Sequence, residues 1–225
     1  MKPAAEAFQF PATDRRGLSR RVLLLTGLGL MALPAGARAE DPITTAVATG
    51  HPPLGHIEAV TGEVRIERDR EPATARDGDA LVAADTVVTG DEARALLQLG
   101  ASITIRLAAN SRFTIERYDA TEGGAFHLAS GAMLYVRAQR GAPAPVEVKA
   151  PFGEARGRCN RFFMGQLDDV FGVTVMHGNL RVTAEGVTVN LEPGDATDIV
   201  PGGPAPTTPR PWSEARIRAA LALVE

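Results

Sequence analysis

The chain has 225 residues, 44% of them hydrophobic and 23% charged, a globular composition that excludes disorder as the dominant state and leaves room for one buried core. Its formal charge is −3, but residues 1–39 hold six basic and two acidic side chains, so the remainder keeps 18 basic against 25 acidic, a net of −7. That balance repels a polyphosphate backbone, and no basic run interleaved with aromatics offsets it, so nucleic acid is not an expected partner.

The first element in chain order is an export signal. Ser19-Arg20-Arg21-Val22-Leu23-Leu24-Leu25 resembles the twin-arginine pattern S-R-R-x-F-L-K at Ser19, Arg20, Arg21 and Leu24, with Leu23 in place of Phe and Leu25 in place of Lys. An apolar stretch over residues 22–33 follows, and Ala37-Arg38-Ala39 offers the small-x-small geometry of a cleavage site at Ala37 and Ala39. Twelve residues as a helix span only about 18 Å, short of the roughly 30 Å hydrocarbon core. The stretch therefore predicts a cleaved signal over 1–39, with no stable membrane span once it is removed, and a periplasmic destination.

After a polar spacer at 40–53, the region 54–200 predicts an all-β domain. The 23 Gly and 16 Pro, with only 8 Phe, 2 Tyr and 1 Trp, describe many turns joining small aliphatic strands. Val64 and Ile66 alternate with Arg65 and Glu67; Ile103, Ile105 and Leu107 alternate with Thr104 and Arg106; Phe113 and Ile115 alternate with Thr114 and Glu116. Period two puts each set of aliphatics on one face, and a slip of one residue would turn the whole set to water. The pattern returns at Val173 and Val175, Leu180 and Val182, and Val187, Val189 and Leu191, with His177-Gly178-Asn179 and Ala184-Glu185-Gly186 read as hairpin connections. Gly62, Gly131 and Gly178 each precede such a run, which suggests one hairpin grammar reused in an elongated solenoid-like or sandwich arrangement of many short antiparallel strands.

Residues 201–211 carry five prolines and read as a linker without strand or helix. Trp212 and Ser213, the latter an N-cap, then open a short amphipathic helix over 212–225, with Ile217, Leu221 and Val224 on one face. Docking back onto the β domain is its expected role.

The order of landmarks from Ile57 to about Val200 is similar to the periplasmic domain of FecR-type iron-transport regulators. Val60-Thr61-Gly62-Glu63-Val64 resembles the opening V-x-G-x-V strand, Asp85-Thr86-Val87-Val88-Thr89-Gly90 the D-x-v-x-T-G segment, and the run from Ala95 to Ile103 the following L-x-L pattern. Gly131-Ala132-Met133-Leu134-Tyr135-Val136 and Gly178-Asn179-Leu180-Arg181-Val182 fall at later strands. The family's R-G-T-x-F element stands here as Arg158, Cys159, Asn160, Arg161 and Phe162, with Cys and Asn in place of Gly and Thr. Family members that regulate sigma factors carry a cytoplasmic helical domain before the β domain, whereas about 20 residues precede the signal here. The resemblance thus implies a stand-alone exported β domain that binds other envelope proteins, an outer-membrane or signalling component among them, without a sigma-regulator segment of its own.

Chemistry is sparse. The histidines His51, His56, His127 and His177 show no metal-ligand spacing, although His51 and His56 flank Pro52-Pro53. Cys159 with His177 as its base would make a thiol nucleophile, but a lone cysteine in an apolar strand is expected to be a small buried hydrophobe. Asp77-Gly78-Asp79 and Asp168-Asp169 are the strongest acidic pairs and read as solvated turns, since neither has a calcium-loop spacing. No catalytic residue, cofactor or metal is expected. The alternative to a binding or signalling module is a carbohydrate-binding or hydrolytic enzyme on a β scaffold, which sparse aromatics disfavour.

Overall fold

Alternating burial, the physical signature expected of a half-buried strand, recurs throughout a computed structural model that describes residues 51–138, 144–167, 170–200, 202–203 and 205–225. The proposed export signal, most of the spacer and the Asp168-Asp169 pair lie outside the described residues. In chain order the strands are β1 (Gly55–Thr61), β2 (Val64–Arg68), β3 (Glu71–Thr74), β4 (Ala80–Leu81), β5 (Thr86–Thr89), β6 (Arg94–Leu99), β7 (Ile103–Leu107) and β8 (Arg112–Asp119). They continue as β9 (Gly123–Ser130), β10 (Ala132–Arg137), β11 (Val146–Ala150), β12 (Gly153–Leu167), β13 (Val170–Ala184), β14 (Val187–Leu191), β15 (Asp195–Ile199) and β16 (Arg210–Pro211), before the helix α1 (Glu214–Ala222). The all-β class with a short C-terminal helix is as the sequence predicts.

One curled, half-barrel sheet holds all sixteen strands. Its path runs β3-β2-β5-β8-β9-β11-β12-β10-β7-β6-β1-β4, with β13 added to β12 and β14 and β15 added to β13. The β9–β11 pair is parallel, whereas the other described pairs are antiparallel. Successive segments cross between the two ends of this path: β1 lies in one wall and β2 in the other, and the same exchange occurs from β5 to β6, β7 to β8 and β9 to β10. The main core fills the space between the walls, where Ile57, Leu97, Ile105, Phe113, Phe126, Tyr135 and Phe162 are fully buried. Tyr135 stacks on Phe162 with ring centroids 5.0 Å apart, and Phe113 on Phe126 at 5.5 Å.

Two expectations are corrected. Gly62 and Gly131 do not close hairpins: they sit at corners where the chain passes from wall to wall, with φ of 73° and 81°. A Cβ on Gly131 would collide with Ser111, so glycine is required by both conformation and space. His177-Gly178-Asn179 is likewise no turn. β13 runs straight through it, and the register against β12 shifts between Cys159 and Arg161 and again before Phe162. Gly178, at φ 96°, lies where a Cβ would come within 2.6 Å of the Cys159 Cα, so the glycine serves a β-bulge that bends two fifteen-residue strands together. Ala184-Glu185-Gly186 does close a hairpin, with Glu185 and Gly186 both at positive φ.

The proline-rich segment also departs from the linker reading. Arg210 and Pro211 form β16 against Ala196 and Asp195, and the Thr207 amide donates to the Asp198 carbonyl at 3.0 Å. A proline is tolerated there because β16 is an edge strand whose outer side needs no donor.

Candidate interaction surface

Polar residues at core-facing positions mark the structurally committed part of the surface. Along β5 and the residue before it, period two puts Asp85, Val87 and Thr89 on the inner face, and all three are buried. The Asp85 carboxylate accepts from Arg68 Nε and a terminal guanidinium nitrogen, each at 2.7 Å, and from the Val82 amide at 2.8 Å. This pairing pushes the Arg68 guanidinium above its ordinary pKa. Thr89 Oγ1 donates to the Ala108 carbonyl at 2.6 Å and accepts from the Ser111 amide at 2.8 Å. Ser111 Oγ in turn donates to the Ala132 carbonyl and accepts from the Ala132 amide. Buried polar groups in such a network are satisfied and hold the corners in register.

These corners stack. The Gly90 amide donates to the Glu63 carbonyl at 2.9 Å, the Asn110 amide to the Gly90 carbonyl at 3.1 Å, and Ser130 Oγ to the Asn110 carbonyl at 3.1 Å. Outside the stack lies a solvent-open groove of about 400 Å³ lined by Glu63, Arg65, Gly90, Asp91, Asn110 and Arg112 among others. Arg112 is held by Glu67 through both of its terminal nitrogens, which lowers the Glu67 carboxyl below its usual range. A second depression of about 240 Å³ is lined by Arg117, Glu122, Pro145, Glu147, Arg156 and Arg158. Arg156 is bound there by Glu147 and Glu154.

A separate apolar cluster covers the opposite face of part of the sheet. Trp212 lies edge-on to Phe163 with centroids 6.3 Å apart, and Ala220 and Val224 complete the contact with Leu134, Ala132 and Ala196. Asp198 organises it: its carboxylate accepts from Trp212 Nε1 at 3.2 Å and from the two terminal nitrogens of Arg216 at 2.8 and 2.9 Å, while the Arg216 guanidinium sits 4.3 Å over the Trp212 ring. Ser213 caps the helix as the sequence predicts, its Oγ accepting from the Arg216 amide. Arg94 caps the other end by donating to the Ala222 and Leu223 carbonyls. Trp212 is the chain's single tryptophan. Asp198→Ala should therefore release the helix and red-shift the tryptophan emission, at a cost of about 2 kcal/mol from the lost charge-assisted bonds. Unchanged emission and an unchanged urea midpoint would refute the role given to Asp198.

Among the described residues, the thiol nucleophile and the Asp77-Asp79 pair weighed from sequence do not assemble into catalytic groups. Cys159 is fully buried, its Sγ donates to the His177 carbonyl at 2.9 Å, and burial pushes the thiol up to about 11, so it stays protonated at neutral pH. His177 meets it through backbone and turns its own side chain to solvent. Asp77 and Asp79 spend their carboxylates on the Val60 and Arg76 amides, the role expected of a turn. Asp119 is lowered to about 2 by the Thr121 hydroxyl and the Glu122 and Thr121 amides, again a turn fixture. Among the described residues no cluster of three potential ligands could hold a metal, and no helix is long and apolar enough to cross a membrane.

The residues with structural consequence are instead Asp85, Thr89, Ser111 and Asp198. Asp85 and Thr89 entered the sequence reading only as landmarks, although a polar residue at a core-facing position of a period-two run is itself a signal. Arg158, Asn160 and Phe162 lie on β12 around the bulge, with Phe162 in the core and Arg158 facing the smaller depression.

Residues 85–181 match the FecR protein family. Over that segment the chain is FecR-like. The matched segment runs from the buried Asp85 to Arg181 in β13. Two crystal structures of a Parabacteroides distasonis protein described as a candidate anti-sigma factor share part of this fold. One matches at 13% identity with a TM-score of 0.50 over 60% of this chain and 64% of that one; the other at 12% and 0.51 over 60% and 63%. This chain thus spans just under two thirds of the length of those structures. A search of curated proteins by sequence returns no match.

Proposed function

We propose that the protein is an exported periplasmic signalling module whose FecR domain binds another protein of the envelope. The match over residues 85–181 carries this reading. Two features support it. The N-terminal Ser19-Arg20-Arg21 pattern, apolar stretch and Ala37-Arg38-Ala39 site form an export signal, and each depression has an arginine held in place by carboxylates, Arg112 by Glu67 and Arg156 by Glu147 and Glu154, an arrangement suited to recognition.

Exchange of both Arg20 and Arg21 for lysine should trap the precursor in the cytoplasm, checked by fractionation and the mass of the uncut chain. Normal export of the double variant would remove the twin-arginine route. Crosslinking in the intact periplasm should capture a reproducible outer-membrane or signalling protein. Absence of any partner, together with turnover of a glycan panel, would favour an enzyme instead.

A further inference from the structure

An exposed strand edge offers a row of unpaired N–H and C=O groups, and native sheets blunt such edges with shortness, proline or charge. Among the described residues four strands have an unpaired side: β3, β4, β14 and β16. β4 and β16 are two residues long, and β16 ends in Pro211; β3 is short, exposed throughout, and carries Glu71 and Pro72. β14 has none of these protections. Its five residues, Val187–Leu191, include no proline and no charge, and Val187 is 44% exposed.

The chain itself shows how this line of the sheet is filled. β15 and β14 lie on the same side of β13, β15 against Phe171–Thr174 and β14 against Leu180–Ala184. The edge of β15 is covered by β16 and Thr207, whereas no described segment pairs with the outer side of β14. The two-residue turn at Glu185-Gly186 makes Ala184 and Val187 a hydrogen-bonded pair, so the alternation of an antiparallel ladder points the amides and carbonyls of Thr188 and Asn190 outward. Their side chains lie on the outer face, while Val189 packs against the core.

Charge on that outer face selects the occupant. Arg181 and Arg156 stand directly opposite each other on β13 and β12, an unfavourable like-charge pair. Arg156 is neutralised by Glu147 and Glu154, but among the described residues no carboxylate lies within 4 Å of Arg181, whose Nε donates only to Asn190 Oδ1 at 3.4 Å.

We infer that the β14 edge is a docking site for an extended segment of a partner protein, added as a further strand, with aliphatic side chains over Val187 and Val189 and a carboxylate on the other face beside Arg181. The inference rests on the binding-module reading and states where and how the partner docks. Pairing with a second copy is disfavoured: it would bring two Arg181 side chains together with no carboxylate in either strand, over a five-residue contact far below the roughly 1,200 Å² of a stable interface.

The probe is a nine-residue peptide alternating valine with glutamate, titrated into the purified protein while amide exchange is followed by NMR. Binding should slow exchange at Thr188 and Asn190. Thr188→Pro removes an outward donor without touching the ladder to β13, and should weaken binding about tenfold. Arg181→Glu should weaken the glutamate peptide about fivefold and favour a lysine version by a similar factor. No protection at the two amides, undiminished binding by Thr188→Pro, or an unaltered charge preference in Arg181→Glu would each overturn the inference.

A photocrosslinker at position 188 and another at Thr114 separate this proposal from the broader function. An adduct through position 188 to a partner segment of alternating aliphatic and acidic residues supports the inference. Adducts only through position 114 keep the binding module and remove the β14 site, while none at either position removes both. An adduct to a second copy, to this chain's own N-terminal residues, or to a segment without that alternation also overturns the β14 proposal.

Discussion

Ile105→Asp is expected to abolish the cooperative thermal transition. Ile105 has no exposed surface, lies in β7 between Leu97 and Tyr135, and points into the space between the two walls. Substitution removes an aliphatic side chain whose burial stabilises by about 2 kcal/mol and leaves a carboxylate with no partner, at about 3 kcal/mol or more. The sum approaches the entire stability of a typical domain, about 5–15 kcal/mol. Circular dichroism against temperature checks it: a variant that still melts cooperatively near the parent midpoint would show that β7 does not face the core. Ile105→Val, which keeps the shape class, should cost only about 1 kcal/mol.

The second large effect is expected at Asp85. Asp85→Ala leaves the Val82 amide without its acceptor and strips the Arg68 guanidinium of a two-point partner. A buried pair broken on one side loses about 3 kcal/mol, because the remaining group keeps its desolvation cost without compensation. Arg68→Met should be at least as damaging, since the stranded group is then the fully buried carboxylate. Urea denaturation gives the measurement. Midpoints of both variants within about 0.5 kcal/mol of the parent would place the pair among surface bridges of little consequence.

How far the fold was legible depended on whether the deciding interaction was local. Strands β2, β7 and β8 were readable because each side chain's face follows from backbone period alone, and Val64, Ile66, Ile103, Ile105, Leu107, Phe113 and Ile115 are all buried. The Ser213 cap was readable for the same reason. His177-Gly178-Asn179 was misread because glycine next to asparagine has turn composition, yet what requires Gly178 is the backbone of Cys159 on another strand. The corners at Gly62 and Gly131 were misassigned likewise, since sequence shows where the chain bends and not which wall it enters next.

The candidate surface was less legible than the fold. Asp198 meets Trp212 and Arg216 across 14 and 18 residues, a meeting decided by where α1 docks. Whether β14 is an interior or edge strand depends on which segments lie beside it, and its own residues carry no mark of that.

By itself the sequence determined the all-β class, the alternating core faces, the C-terminal helix and the likeness to FecR-type domains, because burial period, capping and landmark order are properties of neighbouring residues. Only the tertiary structure decided the wall-to-wall path, the conversion of a supposed turn into a bulge, the strand within the proline-rich segment and the edge left open at β14. Those depend on contacts between segments far apart in the chain, whose pairing is selected by the packing of the whole sheet.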